Sequence, residues 1–263
     1  MKFVSGFILS LAVLTGLWTA LPARAEDAPT QSKNAPAACE VPDYLVSSDS
    51  VLPKVDEAIK AGSALNILVV GSRSSSINLS ANASETAAYP GQMQIALKEK
   101  FPTLAVNVSV EIQAKKTAEE VAAGFSKLLE AKKPTLVIWQ TGTVDAMRSV
   151  DPEDFRTGLS EGVVALQEAG AEVILVNPQY SPRTESMISA SPYLDNMRVV
   201  AQEHDVPLFD RFAIMRNWSE SGEFDLFSAV HGVELAKRVH SCLGRALAQF
   251  IVASARPKPA QEN

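Results

Sequence analysis

Five short apolar runs, at residues 65–70, 104–110, 136–139, 173–176 and 207–209, alternate with longer amphipathic stretches along the chain. This alternation constrains the fold more than any other feature of the sequence. The runs are too short for buried helices, and flanking turn residues bound them, so they read as strands buried on both faces. Between them, helical periodicity covers 89–100, 117–131, 152–169, 192–204 and 232–253, and 43–61 reads as partly helical. A strand buried on both faces needs helices above and below, and sequential parallel strands need crossovers of one hand. The expected architecture is a three-layer α/β/α sandwich around a five-stranded parallel sheet. Ligands of such sheets bind where the strands end, which directs attention to the loops at 71–84, 140–150 and 177–188.

Composition narrows the class of partner. The chain has 263 residues, 46% of them hydrophobic, with 24 basic against 30 acidic side chains and a net charge of -6. It is long enough for a sizeable core, and its acidic balance argues against nucleic acid or an anionic membrane surface as a partner. Lys2, an apolar run from 3 to 21 and the Ala23-Arg24-Ala25 site form the pattern of a cleaved signal peptide over 1–25, with an uncleaved membrane anchor as the alternative that the polar stretch after it disfavours. A flexible leader (26–38), one folded domain (39–255) and a frayed tail (256–263) complete the expected organisation. No later run is long enough to span a bilayer. The expected product is therefore a soluble, exported protein, periplasmic or secreted, whose oligomeric state the sequence leaves open.

Cys39 and Cys242 are the only two cysteines. In an oxidising compartment the economical reading is a disulfide tying the start of the domain to its last helix, with two buried thiols as the alternative. Two cysteines without a histidine cluster make no metal site, and the chain carries neither a P-loop nor a dinucleotide glycine fingerprint, so no cofactor is expected. Asn-x-Ser triplets at Asn78, Asn82, Asn107 and Asn217 are weak indications of glycosylation.

Three segments together carry a resemblance: Val69-Val70-Gly71-Ser72-Arg73 after the first strand, Trp139-Gln140-Thr141-Gly142-Thr143-Val144-Asp145 after the third, and His231 opening the last helix. They resemble the SGNH, or GDSL-type, hydrolases, and the Asp151 to Phe155 helix start and the segment 211–218 look like exported bacterial members. The resemblance covers nearly the whole mature domain and implies a flavodoxin-like sheet. It also implies an esterase mechanism in which a serine after the first strand attacks, an Asp-x-x-His pair supplies base and orienter, and a glycine and an asparagine complete the oxyanion hole.

Those roles fall on other residue types in this chain. The nucleophile position falls on Arg73, the oxyanion glycine near Lys115, the oxyanion asparagine on Val144 and the aspartate on Ser228, while His231 is kept. A guanidinium offers no nucleophile, valine donates nothing to an oxyanion, and serine gives the histidine only a neutral hydrogen bond. The leading expectation is a remodelled or non-catalytic binding or accessory protein. In it Arg73, Lys115 and His231 would give a basic pocket, lined also by Gly142, Thr143, Val144, Asp145 and Ser228, that takes a small anionic or acylated carbohydrate ligand. Alternatively Arg73 and Lys115 pair with Glu111, Asp145 or Glu85 as a structural network. The enzymatic alternative is an active esterase or carbohydrate deacetylase that uses Ser72 or Ser74 with His231, Asp225 or Asp145 orienting the histidine and Gly142 and Thr143 shaping the oxyanion site. Serine-rich loops also serve as turns and caps, and a histidine at a helix start as a cap. Trp139, Tyr180 and Trp218 are candidate stacking faces for a sugar or, equally, core residues.

Overall fold

The computed structural model describes residues 39–77, 79, 85–227 and 232–256. The expected signal peptide, leader and tail beyond 256, together with Asn78, Asn82, Ser228 and His231, lie outside them. The strands are β1 (Leu65–Gly71), β2 (Val106–Ile112), β3 (Leu136–Gln140), β4 (Glu172–Val176) and β5 (Leu208–Phe209). They form one parallel sheet in the order β2-β1-β3-β4-β5. The helices are α1 (Pro53–Ala61), α2 (Tyr89–Lys100), α3 (Ala118–Ala122), α4 (Phe125–Lys132), α5 (Thr143–Arg148), α6 (Pro152–Glu168), α7 (Pro182–Met187), α8 (Ser191–Glu203), α9 (Arg211–Glu220) and α10 (Gly232–Ala255). The five strands and the parallel sheet are as the apolar runs predict.

Strand periodicity divides the core in two. Leu65, Ile67 and Val69 of β1, Leu136 and Ile138 of β3, and Ile174 and Val176 of β4 pack with α1, α2, α9 and α10. The alternate residues Leu68, Val70, Val137, Trp139, Val173 and Leu175 pack with α3, α4, α6 and α8. Successive strand side chains point to opposite faces, so each strand feeds both layers. This is why the runs are continuously apolar. β2 is the exception: it pairs only with β1, and its outer residues are partly exposed.

Local chemistry sets the element ends. Thr117 and Glu120 form a reciprocal capping box that starts α3. The predicted helix over 117–131 is divided at Ala123 and Gly124 into α3 and α4. β2 begins at Val106 and not at 104, because Leu104 is held in a turn by its N–H to the carbonyl of Phe101. α1 has no capping side chain of its own, and Glu172 of β4 supplies one, accepting from the N–H groups of Lys54 at 2.7 Å and Val55 at 3.0 Å.

Cys39 and Cys242 are joined by a disulfide, with Cα atoms 5.2 Å apart across a separation of 203 residues. The first described residues are thereby fixed to α10, and the carbonyl of Glu40 accepts from the Trp218 indole at 2.8 Å. Among the described residues no helix is long and apolar enough to cross a membrane.

Candidate functional site

From β1 the chain moves outward to β2 and then returns to β3 on the other side of β1. This reversal opens a crevice at the C-terminal ends of β1 and β3, where ligands of parallel sheets bind. Gly71 ends β1, and a single 3-10 turn over Arg73–Ser75 follows, with the Ser72 hydroxyl accepting from the Ser74 N–H. A Cβ on Gly71 would sit 2.2 Å from Ser75 Oγ, so only glycine lets the turn fold back onto the strand. On the other side Gly142, at φ +86°, starts α5 in a conformation that favours glycine.

The side chain of Gln140 occupies this crevice. Its Oε1 faces the N–H of Ser72 at 3.0 Å and the hydroxyls of Ser72 at 3.0 Å, Ser75 at 3.0 Å and Ser74 at 3.3 Å. The fixed Ser72 N–H donor sets which way the amide points. Gln140 Nε2 is buried with no partner among the described residues. The space left in the crevice is about 10 Å³, at the lower limit for a single water.

Ser74 is gripped from the opposite side by Arg211. The guanidinium donates from Nη1 to Ser74 Oγ and from Nη2 to the Ser74 carbonyl, both at 3.1 Å, and from Nη2 to Gln179 Oε1 at 3.2 Å. It lies over the Tyr89 ring, 5.4 Å from the centroid. The Tyr89 hydroxyl shares a hydrogen bond with Ser75 Oγ at 2.9 Å, and its backbone N–H donates to His240 Nδ1 at 3.0 Å. Serines after β1 are thus tied through Gln140 to β3, through Arg211 to α9, and through Tyr89 to α2 and α10.

Arg211 is only 1% exposed, and no carboxylate pairs with it among the described residues. Burial pulls its pKa down to about 10. Burial, and then the nearby Arg211 charge, hold His240 down at about 3, so its ring is neutral at physiological pH. The neighbouring acid in sequence, Asp210, is engaged elsewhere: Oδ1 accepts from the Ala213 N–H and from Asn177, and Oδ2 from Arg198. Next to Arg211, between the segment after β4, α9 and α10, a second cavity of about 210 Å³ opens, with Gln179, Arg211 and His240 in its lining.

Of the residues singled out in the sequence, Ser72, Gly142, Thr143, Val144 and Asp145 do line the β1/β3 crevice. Arg73 is exposed and Lys115 is exposed, and neither lines it. Lys115 has φ +64°, in the left-handed region that favours glycine. The expected ion-pair network around these two cations is not formed among the described residues, where Glu111 pairs instead with Lys132 at 3.2 Å. Asp145 is buried, its Oδ1 accepting from the Ala118 N–H at 2.8 Å, and burial raises its pKa. It joins α5 to α3. Trp139 and Trp218 are buried core residues, packed edge-on against Phe125 and Phe224.

Sequence reasoning missed Gln140, Gln179, Arg211, Tyr89 and His240 as a set. One signal for Arg211 was present. Positions 211, 214, 215 and 218 form the buried stripe of α9 at helical spacing, and arginine fills the first of them.

Comparison with known proteins identifies the family and the fold. The model of the Non-GDSL lipase-like family matches residues 38–257. The fold is similar to that of Axe2, an acetylxylan esterase from Geobacillus stearothermophilus, with TM-score 0.57, 17% identity, and 70% of this chain and 93% of that chain covered. It is also similar to LAE5, an alpha/beta hydrolase from the metagenome of Lake Arreo, Spain, with TM-score 0.56, 18% identity, and 72% and 95% covered. The esterase EstA from a Pseudoalteromonas species gives TM-score 0.52, 18% identity, and 71% and 96% covered. No curated protein matches the sequence.

Proposed function

The chain belongs to the Non-GDSL lipase-like family, with an SGNH hydrolase-like fold, and on that premise we propose that it is an exported member whose hydrolytic site has been remodelled into a binding or accessory function. The observation that carries this reading is the filled crevice. Gln140 engages Ser72, Ser74 and Ser75 and leaves about 10 Å³, too little for an acyl group. A serine hydroxyl that donates to a carboxamide has no base to take its proton. Arg73, at the place of the family nucleophile, brings no nucleophile, and Val144 brings no oxyanion donor.

Export rests on the segment 1–25 and accords with the Cys39–Cys242 disulfide, which needs an oxidising compartment. The enzymatic alternative takes its support from the esterases that share this fold and from Arg211, whose charge beside Ser74 Oγ would favour an alkoxide. Intact-mass labelling of the purified protein with a fluorophosphonate separates the two. The expected result is no adduct on folded protein. An adduct on Ser72 or Ser74 that disappears in His231→Ala would overturn the proposal and identify a displaced-serine esterase.

A further inference from the structure

Arg211 combines three features: complete burial, no counter-ion among the described residues, and a position in the wall of the 210 Å³ cavity. A desolvated cation is costly unless something negative approaches it. The internal residues outside the described ones, 78, 80–84 and 228–231, include no acidic side chain.

Two polar groups beside Arg211 in this cavity, Gln179 and His240, are donors as well. Gln179 accepts from Arg211 through Oε1, and because a guanidinium only donates, this fixes the amide and leaves the Gln179 NH2 free to donate. His240 receives the Tyr89 N–H at Nδ1, which places the ring proton on Nε2. One cation and two neutral donors therefore share a cavity that Tyr180 and Ser181 also line, with Ser181 Oγ engaged by Thr184, and whose apolar wall is formed by Met215, Leu226, Leu235 and Val239.

We propose that the cavity bounded by Arg211, Gln179 and His240 is a binding site for a small organic carboxylate, its charged end on the guanidinium and its hydrocarbon body against α9 and α10. A carboxylate fits better than a phosphate. There is one formal charge to match, and the first N–H groups of α9 are already spent, Phe212 on Asn177 Oδ1 at 2.8 Å and Ala213 on Asp210 at 2.9 Å. The volume is below the range of drug-sized sites, so the ligand is small. The assignment deepens the binding-protein reading and names the ligand class on which it rests.

The test is calorimetric titration and thermal shift of the full mature protein with sodium acetate, hexanoate and benzoate, beside hexanamide and inorganic phosphate. The expected result is saturable binding of hexanoate or benzoate, roughly tenfold or more tighter than phosphate or the amide. Arg211→Met should weaken it by a similar factor. Because that variant removes three buried hydrogen bonds, Ala236→Phe serves as a second probe: it fills the cavity from the face of α10 and should exclude hexanoate while the fold is kept. No carboxylate binding at millimolar concentration, phosphate binding as tight as hexanoate, or binding unchanged in Ala236→Phe would each overturn the assignment. A serine adduct with fluorophosphonate would instead overturn the non-catalytic reading and leave this site standing, so the two failures are distinct.

Discussion

Gly244→Ala tests how the last helix is seated. α10 crosses α2 so closely at Gly244 that an added Cβ would lie 2.4 Å from Gln92 Cβ, 2.7 Å from Met93 N and 2.8 Å from Gln92 C. The shortfall from ordinary contact reaches about 1 Å, and it is against backbone, which no rotamer change relieves. Alanine gains about 1 kcal/mol over glycine in a helix interior. Overpacking costs about 1–3 kcal/mol and sits at the upper end when backbone must move. Clash exceeds propensity, and the expected net loss is about 2 kcal/mol, or roughly 4–8 °C in Tm for a domain of this size. Urea and thermal unfolding with the disulfide intact measure it. The matched control is Gly124→Ala, where the nearest atom is 3.4 Å away, φ is -95° and stability should stay close to wild type. Gly244 is also one turn from His240, so parting α10 from α2 loosens the Tyr89 to His240 bond that orients the carboxylate site. A Gly244→Ala protein as stable as wild type would refute the claim that this glycine sets the helix approach.

Protonation of His240 opposes folding, because its folded pKa of about 3 lies below the ordinary 6.5. The stability it contributes is present above pH 6.5 and is lost as pH falls, about 2 kcal/mol between pH 7 and 5; urea midpoints should fall less steeply in His240→Asn, and identical slopes would sink the argument. Replacing Glu172 by alanine leaves the N–H groups of Lys54 and Val55 without their acceptor and should cost about 1–2 kcal/mol in chemical denaturation, with Glu172→Gln recovering part of it; an unchanged midpoint in the alanine variant would mean that water caps α1 equally well. Reducing Cys39–Cys242 releases a constraint across 203 residues and should lower stability by about 2–5 kcal/mol, read as the difference in urea midpoint with and without reductant; coincident transitions would show that the link adds nothing.

What the sequence determined about this protein is whatever has a short period or a forced partner. Buried strands write themselves as continuous apolar runs, because side chains at successive positions face different layers and both layers are dry. The five strands and the longer helices between them were therefore legible, whereas the short α5 and α7 fell in stretches read as loops, and Cys39 had only Cys242 to pair with. α9 was missed where it mattered most, because an arginine stands at a core position and breaks the apolar stripe that marks a helix. The resemblance directed attention to Ser72, Gly142 and Asp145, which the strand ends do bring to one crevice, and to Arg73 and Lys115, which they leave outside it. The polar network was decided by tertiary structure alone. Arg211 reaches Ser74 across 137 residues, Gln140 reaches Ser72 across 68, and Tyr89 reaches His240 across 151. Such contacts have no local period, since what joins them is the stacking of separate elements at one end of a sheet. A buried cation without its anion is visible only once every neighbour around it is in place.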